Sequence, residues 1–280
     1  MNRQRYPGHS GARGGGRQAA RVRPVYREVR DVLAGAPPAS ANTGLLFDRY
    51  ANVWSGHPEW KPAKAQPSVR LQFLNEVAQH AAGQKAALRP LLEAFHLRRR
   101  LLWEKLGARK LVLRSCAPLV SGLGMAHALE AGFVWDRNLG VPFLPGSSLK
   151  GAVRAWAEQW ADAGESDLRR WFGDSSDEGA GCLTFFAAYP VIPPVLRTDV
   201  MNPHFKAWYE RGETPGDWLS PEPVFFLAVE RAMPFETAVH LRHGGSSRDL
   251  DAAAELLAGA LSNLGVGAKT AVGYGLFTGD

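Results

Sequence analysis

The chain has 280 residues, 45% of them hydrophobic, with 13 Phe and 9 Trp, enough to build a sizeable core in one large domain or two small ones. Its 19 Pro and 30 Gly argue against an all-helical bundle, and two widely separated cysteines, Cys116 and Cys182, against a disulfide framework or a cysteine-based zinc site. The formal charge of +6 belongs to one end: eight arginines and a single acid, Glu28, occupy residues 1–30, leaving 25 bases and 26 acids for the rest. No apolar run approaches the ~20 residues that span a bilayer, and the Arg/Gly-rich start lacks the apolar stretch of a secretory signal. A soluble, cytoplasmic protein is expected, with no membrane partner.

Residues 1–24, "MNRQRYPGHSGARGGGRQAARVRP", have too few apolar residues to order themselves and read as a disordered basic tail, able to settle on nucleic acid by neutralising phosphates. Residues 25–108 read as an N-terminal extension. It opens with a short helix over Val25 to Leu33, a linker "AGAPPASANTG" and a Trp/Pro-rich patch. Two helices follow, at about 68–82 and 85–106, the first with Val69, Phe73, Val77 and Ala81 on one face. On the second, Leu88, Leu91, Leu92, Phe95, Leu101, Leu102 and Leu106 continue the apolar pattern, and Arg98, Arg99 and Arg100 read as a solvated face or as a contact to RNA or a partner.

From residue 109 the period changes. "RKLVLRSCAPLV" reads as a buried strand, followed by a loop from about 121 to 146 whose length suggests function. "SSLKGAVRAWAEQWA" reads as an amphipathic helix capped by Ser147 or Ser148, with a stripe of Leu149, Val153, Trp156 and Trp160. A strand over "GCLTFFAAYPVIPP", a Pro-rich insertion at about 190–223 and two strands around Arg231–Pro234 come next. A helix with Ala253, Leu257, Ala260, Leu261 and Leu264 on one face stops at Gly265, and "TAVGYGLF" reads as a last strand. The fold class is therefore α+β: a ferredoxin-like β-α-β-β-α-β domain over 109–280, with insertions and a helical extension. RNA-recognition modules share that plan and hold single strands on the sheet or its flanking loops.

Two stretches carry candidate chemistry. "GVGAKTAVGYG" is no phosphate-binding P-loop, because Asn263 and Ala268 stand where glycines are required and the loop follows a helix rather than a strand. Its glycines serve either a helix stop with a softened strand, or a close backbone approach to an anion assisted by Lys269. In "FLPGSSLKGAVRAW", Lys150 and Arg154 fall on one face near a helix start, where they repel each other unless an anion sits there, held by Ser147, Ser148 and free N–H groups.

"PFLPGSSLKGAVRAWAE" together with "GVGAKTAVGYGLF" resembles the signature pair of the RAMP proteins of CRISPR systems. "ALEAGFVWDRNLGVPFLPGSSLKG", "RRWFG", "DVMNPHFKAWYE" and "PGDWLSPEPVFFLAV" narrow the resemblance to the sixth subunit family of the type III-B Cmr complex, over roughly 109–280. The resemblance implies a non-catalytic, crRNA-binding structural subunit of an RNA-guided effector. It would cap the backbone filament near the crRNA 3′ end, with crRNA and target RNA, the backbone RAMP subunit and small helical subunits as partners. Residues placed at the RNA are Ser147, Ser148, Lys150, Arg154, Gly265, Gly267, Lys269, Thr270, Gly273, Gly275 and Arg137; no cofactor is expected.

Rival readings are a RAMP endonuclease processing crRNA precursors and a protein–protein scaffold with a nucleic-acid-binding tail. For cleavage, His127, Glu130 and Asp136 in the long loop are the candidate acid–base groups. Phe133 and Trp135 are candidate stacking platforms. His240 and His243 lack further ligands for a metal, and His204 reads as shaping the insertion.

Overall fold

The computed structural model describes residues 40–54, 67–173, 179–203, 208, 211–212, 214, 216 and 221–279. The basic tail, the Val25–Leu33 helix, most of the Trp/Pro patch and His204 lie outside them. The helices are α1 (Thr43–Arg49), α2 (Pro67–Gly83), α3 (Lys85–Lys105), α4 (Gly146–Gln159), α5 (Glu165–Phe172) and α6 (Ser247–Asn263). The strands are β1 (Arg109–Ser115), β2 (Leu183–Phe185), β3 (Tyr189–Pro190), β4 (Leu196–Met201), β5 (Val224–Val229), β6 (Pro234–Leu241) and β7 (Phe277–Gly279).

The protein is mixed α+β with antiparallel sheets. The main sheet runs β2-β6-β1-β7, with β3 also on β6, and β4 and β5 form a separate hairpin. Paired residues in antiparallel strands share a face, so the register puts Leu113 with Phe235 and Phe185 with Val239 on one side. That side packs under α4 and α6 through Leu149, Val153, Ala157, Leu257 and Leu261, all buried in one core. Helix α2 buries Val69, Phe73 and Val77 as its 3.6-residue pattern predicts, and packs on the β4–β5 hairpin.

The other face of the sheet carries Glu236 and Ala238, and α3 lies over it. Glu236 is fully buried there, 2.7 Å from His96 Nδ1 and accepting from Arg100 Nε at 2.8 Å. His96 Nε2 is 3.0 Å from Pro190 O. Arg99 is wedged between the rings of Phe95, Trp103 and Tyr189, at 5.2, 4.5 and 4.7 Å from their centroids, and donates to Ala187 O. Burial pulls its guanidinium down to about 10. The arginine run is thus no plain solvated face: two of its members dock α3 on the sheet. The leucine pattern of α3 is corrected with it. Leu92, His96 and Trp103 are the buried residues, whereas Leu91, Leu97, Leu101 and Leu102 are about half exposed.

Other expectations also change. Helix α4 starts at Gly146 after Pro145, with no side-chain cap from Ser147 or Ser148. Trp160, read as part of its apolar stripe, is 63% exposed. The insertion contains β4, which takes β5 as its partner, and α1 and α5 went unread because each is only 7–8 residues long. "TAVGYGLF" is a strand only at its end. Lys269 and Gly273 have φ of 63° and 89°, flanking a 3-10 turn over Thr270–Val272, which extended backbone cannot accommodate.

The start of α6 rests on one buried carboxylate. Asp249 accepts from Ser246 N at 2.7 Å and Ser246 Oγ at 2.9 Å on one oxygen, and from Arg170 and Trp171 Nε1 at 2.6 and 2.7 Å on the other. Burial opposes its charge, but these hydrogen bonds outweigh it and hold the carboxyl well below the usual carboxylate range. Asp249→Ala is expected to cost about 2–4 kcal/mol, since it removes the cap and leaves the Trp171 N–H buried without an acceptor. Urea denaturation near neutral pH measures this; an unchanged midpoint would sink it.

Candidate functional site

The two stretches singled out in the sequence meet at one cleft of about 420 Å³. Ser148 and Ala152 line it from α4, Gly265, Gly267 and Thr270 from the C-terminal loop, and Ser121, Gly122 and Gly124 from the loop after β1. The glycines are required by close backbone approach. A Cβ on Gly267 (φ 99°) would stand 2.3 Å from Val120 O, and one on Gly275 (φ 69°) 2.0 Å from Val266 O. Those approaches are tied by Ala268 N–H to Val120 O (2.7 Å), Val266 N–H to Gly275 O (2.9 Å) and Gly275 N–H to Pro118 O (2.8 Å). Gly265 is the helix stop read from the sequence: its φ is 73° and its N–H reaches Ala260 O at 3.0 Å. At Gly273 (φ 89°) a Cβ would meet nothing within 4 Å, so this glycine serves only the turn.

The residues lining this cleft are all uncharged. Among the described residues, the N–H groups of Gly122, Gly124, Gly267 and Thr270 find no acceptor. The hydroxyl of Ser148 stands in the first turn of α4, where the helix dipole is positive. Neutral donors lining an open cleft can hold the oxygens of an anion without a single formal charge.

The basic residues are not gathered with them. Lys150 lies about 200° around the α4 axis from Ser148, and Arg154 shares its side and pairs with Glu158 at 2.7 Å. Lys269 turns toward the β4–β5 hairpin, its Nζ 4.0 Å from Met201 Sδ and 5.7 and 5.9 Å from the Phe226 and Tyr274 ring centroids. Tyr274 in turn donates to Asp199 Oδ2 at 2.7 Å, fastening the glycine loop to the hairpin. Lys150, Arg154 and Lys269, expected to form one seat, therefore do not line this cleft: Lys150 and Arg154 lie on another side of α4, and Lys269 contacts Met201, Phe226 and Tyr274. Ser147 precedes Ser148 on α4 but does not line the cleft, and Arg137 lines a different hollow.

The candidate acid–base groups all have structural partners. His127 stacks on Phe47 with centroids 4.2 Å apart, and its Nδ1 accepts from Leu129 N–H at 3.2 Å, which leaves Nε2–H to donate to Phe47 O at 3.1 Å. Burial holds this imidazole below its ordinary value, against that hydrogen bond and the charge of Asp48. Glu130 receives both arms of Arg70, at 2.5 and 2.9 Å. Asp136 accepts from Asn138 N–H, Leu139 N–H and Tyr189 Oη–H at 2.9, 2.8 and 3.0 Å. Phe133 and Trp135 are 3% and 8% exposed and pack edge to face in the core, so neither offers a stacking surface. No group of three metal-ligating side chains occurs among the described residues. No helix there is long and apolar enough to cross a membrane.

The family model for the RAMP superfamily matches residues 112–278, taking in both signature stretches. The chain belongs to the RAMP superfamily. Within it, this RAMP chain is similar to the CRISPR system Cmr subunit Cmr6 of Pyrococcus furiosus, 33% identical over 222 residues, 56% of this chain and 64% of that protein. It is also similar to the Cmr6 subunit of Saccharolobus solfataricus, 27% identical over 150 residues, 53% of this chain and 48% of that protein. The chain thus spans less than two thirds of either relative. A chain in the cryo-EM structure of the Type III-B Cmr-beta bound to cognate target RNA shares the fold, with a TM-score of 0.59 at 21% identity, covering 78% of this chain and 76% of that chain. Ser121, Gly122 and Gly124 were missed as site residues; the glycine pair in "SGLG" was the signal available.

Proposed function

We propose that this RAMP protein is a non-catalytic, crRNA-binding structural subunit of a type III-B Cmr effector, capping its backbone filament near the crRNA 3′ end. The observation that carries the reading is the cleft where both RAMP signature stretches meet, lined by amides without acceptors and by hydroxyls. Such donors suit the sugar–phosphate backbone and read no base, as a subunit holding any guide requires. The order β1, α4, β2, β6, α6, β7, with strands arranged β2-β6-β1-β7, supports a ferredoxin-like reading of the domain. Because α3 covers one sheet face and α4 and α6 the other, the flanking loops are left for RNA. The half-exposed leucines of α3 suit neighbouring backbone and small helical subunits as partners. The engagement of His127, Glu130 and Asp136 weighs against a nuclease of its own.

The Ser148→Ala/Thr270→Ala pair is expected to weaken binding of a short single-stranded RNA about tenfold. Lys150→Ala/Arg154→Ala, on the other side of α4, should weaken it far less. Fluorescence anisotropy with the purified chain measures both. Full affinity in the first pair, with loss in the second, would move the RNA from the cleft to the bases. Clean cuts in the same RNA, lost in His127→Ala, would revive the endonuclease reading.

A further inference from the structure

A second hollow, of about 160 Å³, is lined by Gly44, Leu45, Asp48, Arg49, Trp135 and Arg137. It differs from the glycine cleft in being charged. Arg49 and Arg137 are exposed and make no ion pair within 4 Å among the described residues; Asp48 lines the same hollow, its carboxyl raised by burial against the opposing charges of His127, Arg49 and Arg137. The floor is tight: a Cβ on Gly44 would stand 2.8 Å from Trp135 Cβ, so only glycine leaves this wall open. The turn carrying Arg137 is pinned from α1's side, because Asn42 Nδ2 donates to Arg137 O and Asn138 O at 3.1 and 3.3 Å.

The two hollows share one loop. Val134 N–H donates to Ser121 O at 2.9 Å and Gly132 N–H to Leu123 O at 3.3 Å, making a stem. Ser121 and Gly122 on one side of that stem line the glycine cleft, while Trp135, next after Val134, lines the charged hollow. The same stem thus contributes residues to both hollows.

We propose that the Arg49–Arg137 hollow takes one nucleotide of the RNA strand held in the glycine cleft, with the two guanidinium forks on its phosphate and Asp48 accepting from N–H donors on its base. A bare anion fits poorly, since Asp48 repels it. A nucleotide carries the phosphate for two arginines and the donor edge for a carboxylate in one ligand. The inference rests on the RNA-binding reading above.

The test uses the full chain and a short single-stranded RNA, followed by anisotropy across a range of salt. Arg49→Ala/Arg137→Ala should bind about tenfold more weakly, with the salt slope reduced by about 0.7 for each phosphate that is no longer neutralised. Arg49→Lys/Arg137→Lys should recover the slope but only part of the affinity, because lysine keeps the charge and loses the fork. Thermal melting should be the same for all three. A double-alanine variant that binds with wild-type affinity and slope, while Gly267→Val loses binding, overturns this site and leaves the cleft reading standing. An RNA that the wild-type chain does not bind at all overturns the reading beneath both.

Discussion

Gly275→Val should destabilise the domain by at least about 3 kcal/mol and, on the proposed RNA-binding role of the cleft, abolish RNA binding. Two costs add. The residue has φ of 69°, which a β-branched side chain rarely adopts. Its Cβ would also stand 2.0 Å from Val266 O, a backbone atom fixed by the Val266–Gly275 and Gly275–Pro118 hydrogen bonds. Nothing there can yield except the loop itself, and the loop is one wall of the cleft. Gly273→Ala is the control, with positive φ but open space around it; it should cost about 1 kcal/mol and leave RNA affinity nearly unchanged. Urea unfolding and anisotropy on the two variants decide the matter. Equal losses in both would show that backbone freedom, and not close approach, is what these glycines supply.

Glu236→Ala should cost about 3–5 kcal/mol, because it strands His96 and Arg100 against the sheet without their shared carboxylate. Burial by itself would raise the carboxyl of Glu236, but hydrogen bonds from His96 and Arg100 outweigh it and hold it below its ordinary value of 4.5. A depressed folded value means the stabilisation is complete above 4.5 and disappears as pH falls through the lower folded value. Wild-type stability should therefore drop between neutral pH and about pH 3 by more than that of Glu236→Gln, which has no proton to take up. Replacing the trio together by apolar residues (His96→Leu, Arg100→Met, Glu236→Leu) should recover most of the loss. Failure of Glu236→Ala to shift the urea midpoint would mean that α3 is held to the sheet by Trp103 and Leu92 alone.

These effects mark where sequence reading succeeded and where it stopped. The helices α2, α3, α4 and α6 were legible because each carries an apolar or amphipathic period longer than two turns. Even so, period alone read only part of the buried face of α3: Leu92 is buried as expected, but His96 and Trp103 supply the rest. Its partner surface is a sheet face bearing Glu236, so His96, Arg99 and Arg100 point inward and the leucines Leu91, Leu101 and Leu102 point out. No local pattern encodes a carboxylate that lies some 140 residues away. Short elements such as α1, α5 and β4 escaped because a turn or two of pattern is not distinct from a loop.

By itself the sequence determined the RAMP family, through two stretches whose residues are local and specific, and it showed that the C-terminal glycines do not match the P-loop pattern. It also singled out Ser148, Gly265, Gly267 and Thr270, which line one cleft, since a helix start and a helix stop are written in neighbouring residues. Only the tertiary structure decided what the site is made of. Helix rotation takes Lys150 and Arg154 away from the cleft, and the hairpin captures Lys269 between Met201, Phe226 and Tyr274. What remains at the cleft is uncharged backbone and hydroxyl, while a separate charged hollow joins Arg49 and Arg137, 88 positions apart in the chain. Side-chain direction and long-range pairing are properties of the folded chain, and a one-dimensional pattern does not contain them.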